Sequence, residues 1–297
     1  MTVRTTACLL GLLVLGLPIG IRGADLGTFT FFDVPGATNT APLSINADGV
    51  IVGRCKIGGR VHGFVRSASG DVTIVDVPGA NFTVTAAINN RGDIVGMYGV
   101  PISSSLRHGY LLKDGVFTTI DPPGSTFTNA LAIDDRGDIV GRYTVGSSPE
   151  HGFLLHDGVF TTLDVPGATR TDAFGINDSE QIVGGFLTPD GHSRLFVLSD
   201  GSYSVVVPPG GQNVSLDKGA INARGEIVGQ YCDGAFPCGF APGLHGFLYG
   251  ADGFTTIDVP GAPGTATYGI SAPGNIVGDY LDAHGAVHGF ILTRGDD

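Results

Sequence analysis

The chain repeats one segment of about 43 residues six times along its 297 residues. A period of 40 to 50 residues is typical of propeller blades or solenoid units, so the repeat has to be interpreted before any single motif. The copies can also be aligned with one another, which separates the positions that all copies share from those that differ. The repeat is easiest to follow at its Ile-Val-Gly element, which begins at Ile51, Ile94, Ile139, Ile182, Ile227 and Ile276.

Each copy contains four short segments of strand-like composition, here called a, b, c and d, separated by Gly, Pro, Asn or Asp. Segments c and d meet at Asp114–Gly115 and at Asp157–Gly158, which is the strongest short signal for a two-residue β-hairpin. With Asp157–Gly158 as the loop, His151 faces Asp164 on the neighbouring strand. Antiparallel hairpins of this kind argue against a parallel β-helix and favour four-stranded blades around an axis.

The two ends of the repeat region complement each other. The region begins with a d segment, Phe29–Asp33, and ends with a c segment, His288–Leu292. If the N-terminal strand completes the last blade, the ring closes and leaves no exposed sheet edge. We therefore predict an all-β, six-bladed β-propeller of four-stranded antiparallel blades, closed by the N-terminal strand. It forms one domain, 24–297, with repeats at approximately 38–80, 81–125, 126–168, 169–210, 211–262, and 263–292 plus 28–37.

The first 23 residues break the pattern. Arg4 precedes an apolar run, Ala7–Leu17, and Pro18 and the small residues Gly23–Ala24 follow it. This order is typical of a secretory signal peptide, and the apolar run is too short to span a bilayer. We expect a signal peptide over 1–23 and a secreted protein, extracellular or periplasmic, without a membrane anchor. A buried N-terminal helix is the alternative interpretation.

Composition and charge limit the classes of function. The formal charge is −12 and no basic patch occurs, which argues against nucleic acid or an anionic membrane as a partner. No phosphate-binding loop, nucleophile elbow or pair of catalytic carboxylates rises above background, so no catalytic residue, metal or cofactor is predicted. We expect a monomer with an extracellular ligand that is a glycan or a protein.

Two cysteines lie close together in the longest connection. Cys232 and Cys238 are predicted to form a disulfide, which would stabilise an exported protein by roughly 2 kcal/mol. A zinc site is the weaker alternative, because no second Cys or His pair has ligand spacing. Cys55 is expected to be a packed, unpaired thiol.

Five of the six copies contain a histidine in segment c and an aspartate at the end of segment d. The fourth copy has Arg194 and Val207 instead, so it lacks both partners together. That shared exception indicates hydrogen-bonded pairs on adjacent strands. A His–Asp pair can act as a general acid or base, but five copies around a ring favour a structural role. The predicted pairs are His62 with Asp76, His108 with Asp121, His151 with Asp164, His245 with Asp258, and His288 with Asp33.

The motif Ile-Asn-x-x-Gly-x-Ile-Val-Gly followed by His-Gly-Phe-Leu resembles the bacterial extracellular repeats named for their His-Ala-Phe signature (HAF repeats). The resemblance covers all six copies, approximately residues 28–292. It implies an exported, propeller-like protein and no particular activity. Glycine replaces the alanine of the signature at Gly63, Gly109, Gly152, Gly246 and Gly289.

The connections between segments b and c differ in every copy, whereas the a–b and c–d turns are uniform. Variable loops on a rigid scaffold usually carry binding residues. The aromatic residues near these loops could stack on sugar rings, although the absence of Trp favours packing between blades. The candidate binding residues on this face are Arg107, Arg194, Tyr98, Tyr143, Tyr231 and Tyr280.

These features favour a secreted, non-enzymatic binding or scaffold module for a glycan, a peptide or an envelope protein. An extracellular polysaccharide hydrolase or lyase, with its site over the axial channel, is the alternative, and a purely structural envelope protein is a third. The alternatives differ in symmetry. An enzyme has to concentrate unlike polar residues from several copies at one point, whereas the copies appear nearly equivalent in sequence.

Overall fold

The computed structural model describes residues 26–100, 106–208, 213–215, 218–233 and 243–295. The predicted signal peptide and Cys238 lie outside these ranges. The described strands are β1 (Thr28–Phe32), β2 (Thr40–Ile45), β3 (Ile51–Ile57), β4 (Arg60–Arg66), β5 (Val72–Val75), β6 (Phe82–Ile88), β7 (Ile94–Gly99), β8 (Arg107–Lys113), β9 (Val116–Ile120), β10 (Phe127–Ile133), β11 (Ile139–Thr144), β12 (His151–His156), β13 (Val159–Leu163), β14 (Arg170–Ile176), β15 (Ile182–Leu187), β16 (Ser193–Ser199), β17 (Ser202–Val206), β18 (Asn213–Val214), β19 (Ala220–Ile221), β20 (Ile227–Cys232), β21 (Leu244–Gly250), β22 (Gly253–Ile257), β23 (Gly264–Ile270), β24 (Ile276–Leu281) and β25 (Val287–Thr293).

The strands form a propeller-like, all-β fold of antiparallel four-stranded blades. Three sheets have four strands each, namely β2–β5, β14–β17, and β23–β25 with β1. The sheet of β18–β22 has five, because its innermost strand is split in two. The remaining eight strands form one sheet, in which a single parallel pair, Phe127 with Arg107, joins the antiparallel units β6–β9 and β10–β13.

The prediction of six separate blades is therefore corrected. Hydrogen bonds divide the described strands into five sheets, since the pair at Phe127 merges two of the predicted blades. The backbone N–H of Arg107 donates to the carbonyl of Thr126 at 3.4 Å, and the guanidinium of Arg107 lies over the Phe82 ring. These contacts bring the beginning of β8 against the beginning of β10.

Burial falls from the inside of each blade to the outside. Strands from segment a, such as β14 and β23, are buried on both faces, whereas strands from segment d, such as β13 and β17, are largely exposed. The a strands thus surround the axis and the d strands form the rim. This gradient explains why segment a contains small and apolar residues, while segment d alternates apolar residues with Thr and Ser.

The Ile-Val-Gly and His-Gly-Phe motifs recur together because they pack on each other. Gly141 of β11 pairs with Phe153 of β12. A Cβ atom at Gly141 would come within 2.7 Å of the Phe153 ring, so the ring occupies the space of the missing side chain. Each copy contains one such aromatic residue, and all are fully buried: Phe64, Tyr110, Phe153, Phe196, Phe247 and Phe290.

Side-chain amides connect neighbouring repeats at the ends of the a strands. The Oδ1 of Asn89 accepts the backbone N–H of Asp93 in its own a–b turn at 2.9 Å. Its Nδ2 donates to the carbonyl of Asp134 in the next repeat at 3.0 Å. One buried amide therefore shapes a turn and bridges two repeats. Such bridges run from Asn46 to Asn89, Asn89 to Asp134, Asn177 to Asn222, and Asn222 to Ser271.

The third repeat has a carboxylate at this position and is bridged differently. Asp134 keeps the acceptor for its turn, but an ionised carboxylate has no donor for the next repeat. The backbone N–H of Asp135 donates to Asp178 at 2.9 Å instead, and Arg136 donates to Glu180 at 2.6 Å. The connection between the third and fourth repeats thus moves outward by one or two residues.

The N-terminal strand completes the sheet of the C-terminal strands. β1 pairs antiparallel with β25, with Phe31 opposite Phe290. The rings of Phe29 and Phe290 meet edge to face with their centroids 5.4 Å apart. The first and last strands are therefore held by backbone hydrogen bonds and by aromatic packing. Within the described part of the chain, no helix is long and apolar enough to cross a membrane.

We predict that Asn177→Asp destabilises the fold by about 1–3 kcal/mol, because it keeps the turn acceptor but removes the donor to Asn222. Urea unfolding measures the effect. The matched control is Asn275→Asp, because the Asn275 side chain makes no hydrogen bond among the described residues, and it should change stability by less than about 0.5 kcal/mol. Equal losses in the two variants would contradict the bridging role.

Candidate functional site

A cavity of about 240 Å³ lies on the axis, at the end of the ring where the b–c connections emerge. Its wall is formed by residues near the beginnings of the a strands and the middle of the b strands, among them Val84, Asn129 and Gln230. Most of the lining therefore comes from strands of several repeats, whose positions are fixed by the sheets, and Ser215 and Lys218 add to it between β18 and β19.

The cavity is the place where the repeats are least alike. The residue directly after Ile-Val-Gly varies strongly among the copies. It is arginine in the first and third copies (Arg54 and Arg142) and Met97, Gly185, Gln230 or Asp279 in the others. Of these, Arg54, Met97, Arg142 and Gln230 line the cavity. Unlike polar residues from several repeats thus converge on one point, in a chain whose other shared positions are nearly uniform.

A buried carboxylate stands behind one wall of the cavity. The hydroxyl of Tyr268 donates to Asp279 at 3.0 Å, and Asp279 is 2% exposed. Burial raises the pKa of Asp279 to about 7, and the positive charges of Lys218 and Arg54 oppose that rise. This carboxyl group can therefore exchange a proton near neutral pH.

A second buried carboxylate is held in an ion-pair cluster. Asp172 accepts hydrogen bonds from Arg142 at 3.1 Å and from Arg170 at 2.6 Å. Arg170 also lies within 2.5 Å of Glu150. Because Arg142 lines the cavity, this cluster supplies a fixed cationic group to its wall.

Two amide side chains of the wall have unused acceptors. The Oδ1 of Asn129 and the Oε1 of Gln230 are buried, and neither has a hydrogen-bond partner among the described residues. The residues are 6% and 7% exposed. A buried acceptor without a partner costs about 1–3 kcal/mol, which a bound water or ligand could recover.

Part of the cavity lining is apolar. Val84, Met97 and Leu244 line it, and Val84 and Leu244 belong to one hydrophobic cluster with Met97 packed against them. Towards the a–b turns the channel narrows between Ala86, Phe174 and Tyr268. Beyond this constriction, a recess of about 120 Å³ is lined by the turn residues and by the bridging Asn side chains.

The structure brings together every predicted His–Asp pair. The shortest Nδ1 to carboxylate distance is 2.7 Å for His62 and Asp76, 2.6 Å for His108 and Asp121, 2.9 Å for His151 and Asp164, 3.0 Å for His245 and Asp258, and 2.9 Å for His288 and Asp33. The pairs belong to strands c and d, on the outer half of each blade, and none lines the axial cavity.

The predicted tyrosine residues pack within their own blades. The hydroxyls of Tyr98, Tyr143 and Tyr231 form hydrogen bonds of 2.8–3.0 Å with Thr side chains of the outermost strand. Each ring also lies against the histidine of its own repeat, with centroids 5.2–5.6 Å apart. Tyr280 lies in the same way against His288 and contacts Phe31. These rings support the His–Asp pairs instead of forming a stacking surface at the cavity.

The other candidates lie apart from the cavity. The guanidinium of Arg107 covers the Phe82 ring, and Arg194 donates to the carbonyl of Ser193 at 2.9 Å. Cys55 is buried and free, and burial raises the pKa of its thiol to about 11. The predicted disulfide of Cys232 involves Cys238, which lies outside the described residues.

Arg54, Asn129, Gln230 and Asp279 were not among the residues predicted from the sequence. A signal for three of them was present, because Arg54, Gln230 and Asp279 occupy one aligned position at which the six copies have five different residue types. Residues that the copies share identify the structural His–Asp pairs, whereas the cavity is lined by residues that differ between copies. That this position faces the axis follows only from the three-dimensional arrangement. Across the described ranges, no cluster of three or more His, Cys, Asp or Glu is placed to hold a metal ion.

No protein-family model matches the chain, and neither does any curated protein. Solved structures match its fold. A TolB candidate from Agrobacterium tumefaciens is 14% identical with a TM-score of 0.60, over 91% of each chain. The β-propeller domain of the Trilobed protease from Pyrococcus furiosus is 11% identical with a TM-score of 0.57, over 86% of this chain and 80% of that one. A mutant of Aleuria aurantia lectin in complex with Fucα1-6GlcNAc is 13% identical with a TM-score of 0.54, over 86% and 93%. These similarities show a β-propeller fold and nothing finer.

The stabilisation from the His288–Asp33 pair, which joins β25 to the residue after β1, should depend on pH. The hydrogen bond to Asp33 raises the pKa of His288 above its ordinary value of 6.5, and burial only partly opposes it. A raised folded-state pKa means that the stabilisation is fully present below pH 6.5 and is lost as the pH rises through the raised value.

We therefore predict that His288→Ala lowers the melting temperature more in mildly acidic than in alkaline buffer. The control is His284→Ala, because the His284 side chain is 91% exposed. It should shift the melting temperature little at any pH. A His288→Ala effect that is the same at both pH values would contradict a charged pair.

Proposed function

We propose that this protein is a secreted binding module whose ligand occupies the axial cavity. The observation that carries the proposal is the convergence of unlike side chains, Arg54, Met97, Arg142 and Gln230, on one cavity in an otherwise uniform ring. A repeat with a purely structural role needs no such differences. Ligand sites are concave and combine apolar walls with a few polar groups, as this cavity does.

We also propose that the ring has six blades, with the eight-stranded sheet counting as two. The support is that β6–β9 and β10–β13 are each antiparallel and are joined by a single parallel pair. The closure of β1 on β25 supports a continuous ring. Export, the Cys232–Cys238 disulfide and membership of the HAF-type repeats belong to the same proposal, and they rest on the sequence.

A second candidate function is cleavage of a polysaccharide at the same cavity. The observation that favours it is Asp279, whose pKa of about 7 suits a general acid or base, next to the Tyr268 hydroxyl. The convergence of polar residues from several repeats on the cavity meets the requirement for an enzyme as well as for a binding site, but binding is the better supported function. Asp279 lies behind the cavity wall and does not line the cavity. Most of the polar side chains that do line it can donate or accept hydrogen bonds but are not typical catalytic nucleophiles.

We predict that filling the cavity abolishes ligand binding. Val84→Phe adds a ring to the apolar wall, where Val84 is 6% exposed. Ligand-observed NMR of the protein without residues 1–23, with mixtures of monosaccharides, sugar acids and short peptides, should show binding that Val84→Phe removes. Val205→Phe is the matched control on the rim, at a residue that is 54% exposed, and should bind normally. Binding that survives Val84→Phe in a folded protein would place the site elsewhere.

If the protein is an enzyme, Asp279→Asn should abolish the release of new reducing ends from polysaccharides and leave binding intact. The substitution keeps the shape of the side chain but removes its proton exchange. The experiment compares it with Asp252→Asn, at an exposed turn residue. Activity that is unchanged in Asp279→Asn, or absent from the unmodified protein on all substrates, would exclude this second candidate.

A further inference from the structure

Three side chains that line the cavity have polar groups without a partner among the described residues. The guanidinium of Arg54 makes no hydrogen bond or ion pair there, and the amide oxygens of Asn129 and Gln230 are buried and unpaired. They belong to the first, third and fifth repeats, so they approach the axis from three directions around the ring. Three converging groups of this kind can fix both the position and the orientation of a small molecule.

The chemistry of these groups specifies their counterparts. A guanidinium offers a planar fork of N–H donors that matches the two oxygens of a carboxylate. An amide oxygen accepts hydrogen bonds, and a ligand hydroxyl can supply them. A ligand that satisfies all three groups therefore contains a carboxylate and at least two hydroxyls.

Charge around the cavity supports an anionic ligand. Arg54, Arg142 and Lys218 all line it, although the whole chain has a formal charge of −12. Two carboxylates, Asp172 and Asp279, lie behind this wall and are buried. The charged side chains that line the cavity itself are thus all cationic, in a protein whose net charge otherwise repels anions. Asp172 pairs with Arg142, and Arg54 and Lys218 act on Asp279 from the cavity side.

The volume of the cavity and its apolar residues restrict the class of ligand further. A volume of about 240 Å³ corresponds to roughly eight water molecules, so the cavity holds one small ring at a time. Val84, Met97 and Leu244 form a surface against which the C–H face of such a ring can lie. A compact, polyhydroxylated ring with one carboxylate meets every requirement.

We propose that the axial cavity binds a sugar acid of the uronate class, with its carboxylate on Arg54 and its hydroxyls on Asn129 and Gln230. This assignment rests on the proposed binding function and names its ligand class. The ligand is a free monosaccharide acid or the terminal residue of an acidic glycan, and both present the same groups to the cavity.

Isothermal titration calorimetry with the folded protein lacking residues 1–23 tests the assignment. The probes are glucuronate and galacturonate, the neutral sugars glucose and galactose, acetate, inorganic phosphate, and an oligogalacturonide for the glycan terminus. We expect at least one uronate to bind about tenfold or more tighter than its neutral counterpart, acetate and phosphate.

The variants test the three contacts. Arg54→Met should weaken uronate binding about tenfold or more, and Arg54→Lys should restore only part of it, because lysine lacks the bidentate fork. Gln230→Met and Asn129→Leu should weaken uronate binding and leave the weak binding of acetate unchanged. Arg91→Met, at an exposed a–b turn, is the matched control and should bind as the unmodified protein does.

The outcomes separate the two proposals. Neutral sugars or phosphate that bind as tightly as uronates, or an Arg54→Met variant with unchanged affinity, would overturn the sugar-acid assignment while a binding function stands. If no small molecule binds and filling the cavity with Val84→Phe changes nothing, both proposals fall. If Arg54→Met does not fold, Arg54→Lys and Gln230→Met decide the same question.

Discussion

Hydrogen bonds from buried asparagine side chains to the next repeat are the interaction on which the rest of the ring depends. Each repeat satisfies most of its backbone groups within its own antiparallel sheet, and only isolated backbone contacts, such as that of Phe127 with Arg107, join neighbouring repeats directly. An amide that shapes its own turn through Oδ1 and reaches the next repeat through Nδ2 couples the two. Because both bonds use a buried group, losing either leaves a polar atom without compensation.

This arrangement separates the parts of the repeat that must stay constant from those that can vary. The Asn side chains fix the end of the ring near the a–b turns, and the glycine under each buried aromatic ring fixes the distance between strands b and c. The residue after that glycine faces the axis and takes part in neither of these structural contacts. Arginine, methionine, glutamine and aspartate can all occupy it without disturbing the sheets, and a site can develop there.

The sequence predicted the elements of this fold well, because its signals are local and repeated. The Asp157–Gly158 hairpin has the predicted strand pairing, with His156 opposite Val159. The fourth copy, which has Arg194 and Val207 in place of the histidine and the aspartate, indicated the residues that the structure brings within hydrogen-bond distance in the other five copies. The merging of two blades into one sheet depends on a single backbone contact at Phe127, which leaves no mark in the residue types. The site was missed for a related reason, since which side of strand b faces the axis is decided by packing between repeats.

The pairing of β1 with β25 also determines when the fold can be completed. β1 leaves the ribosome before the other described strands, and its partner strand follows about 255 residues later, as the contact of Asp33 with His288 illustrates. Every other sheet can form from a contiguous stretch of chain as it emerges. Until β25 has been synthesised, the edge of β1 that it will cover stays open to other molecules, so during synthesis this edge is exposed to aggregation.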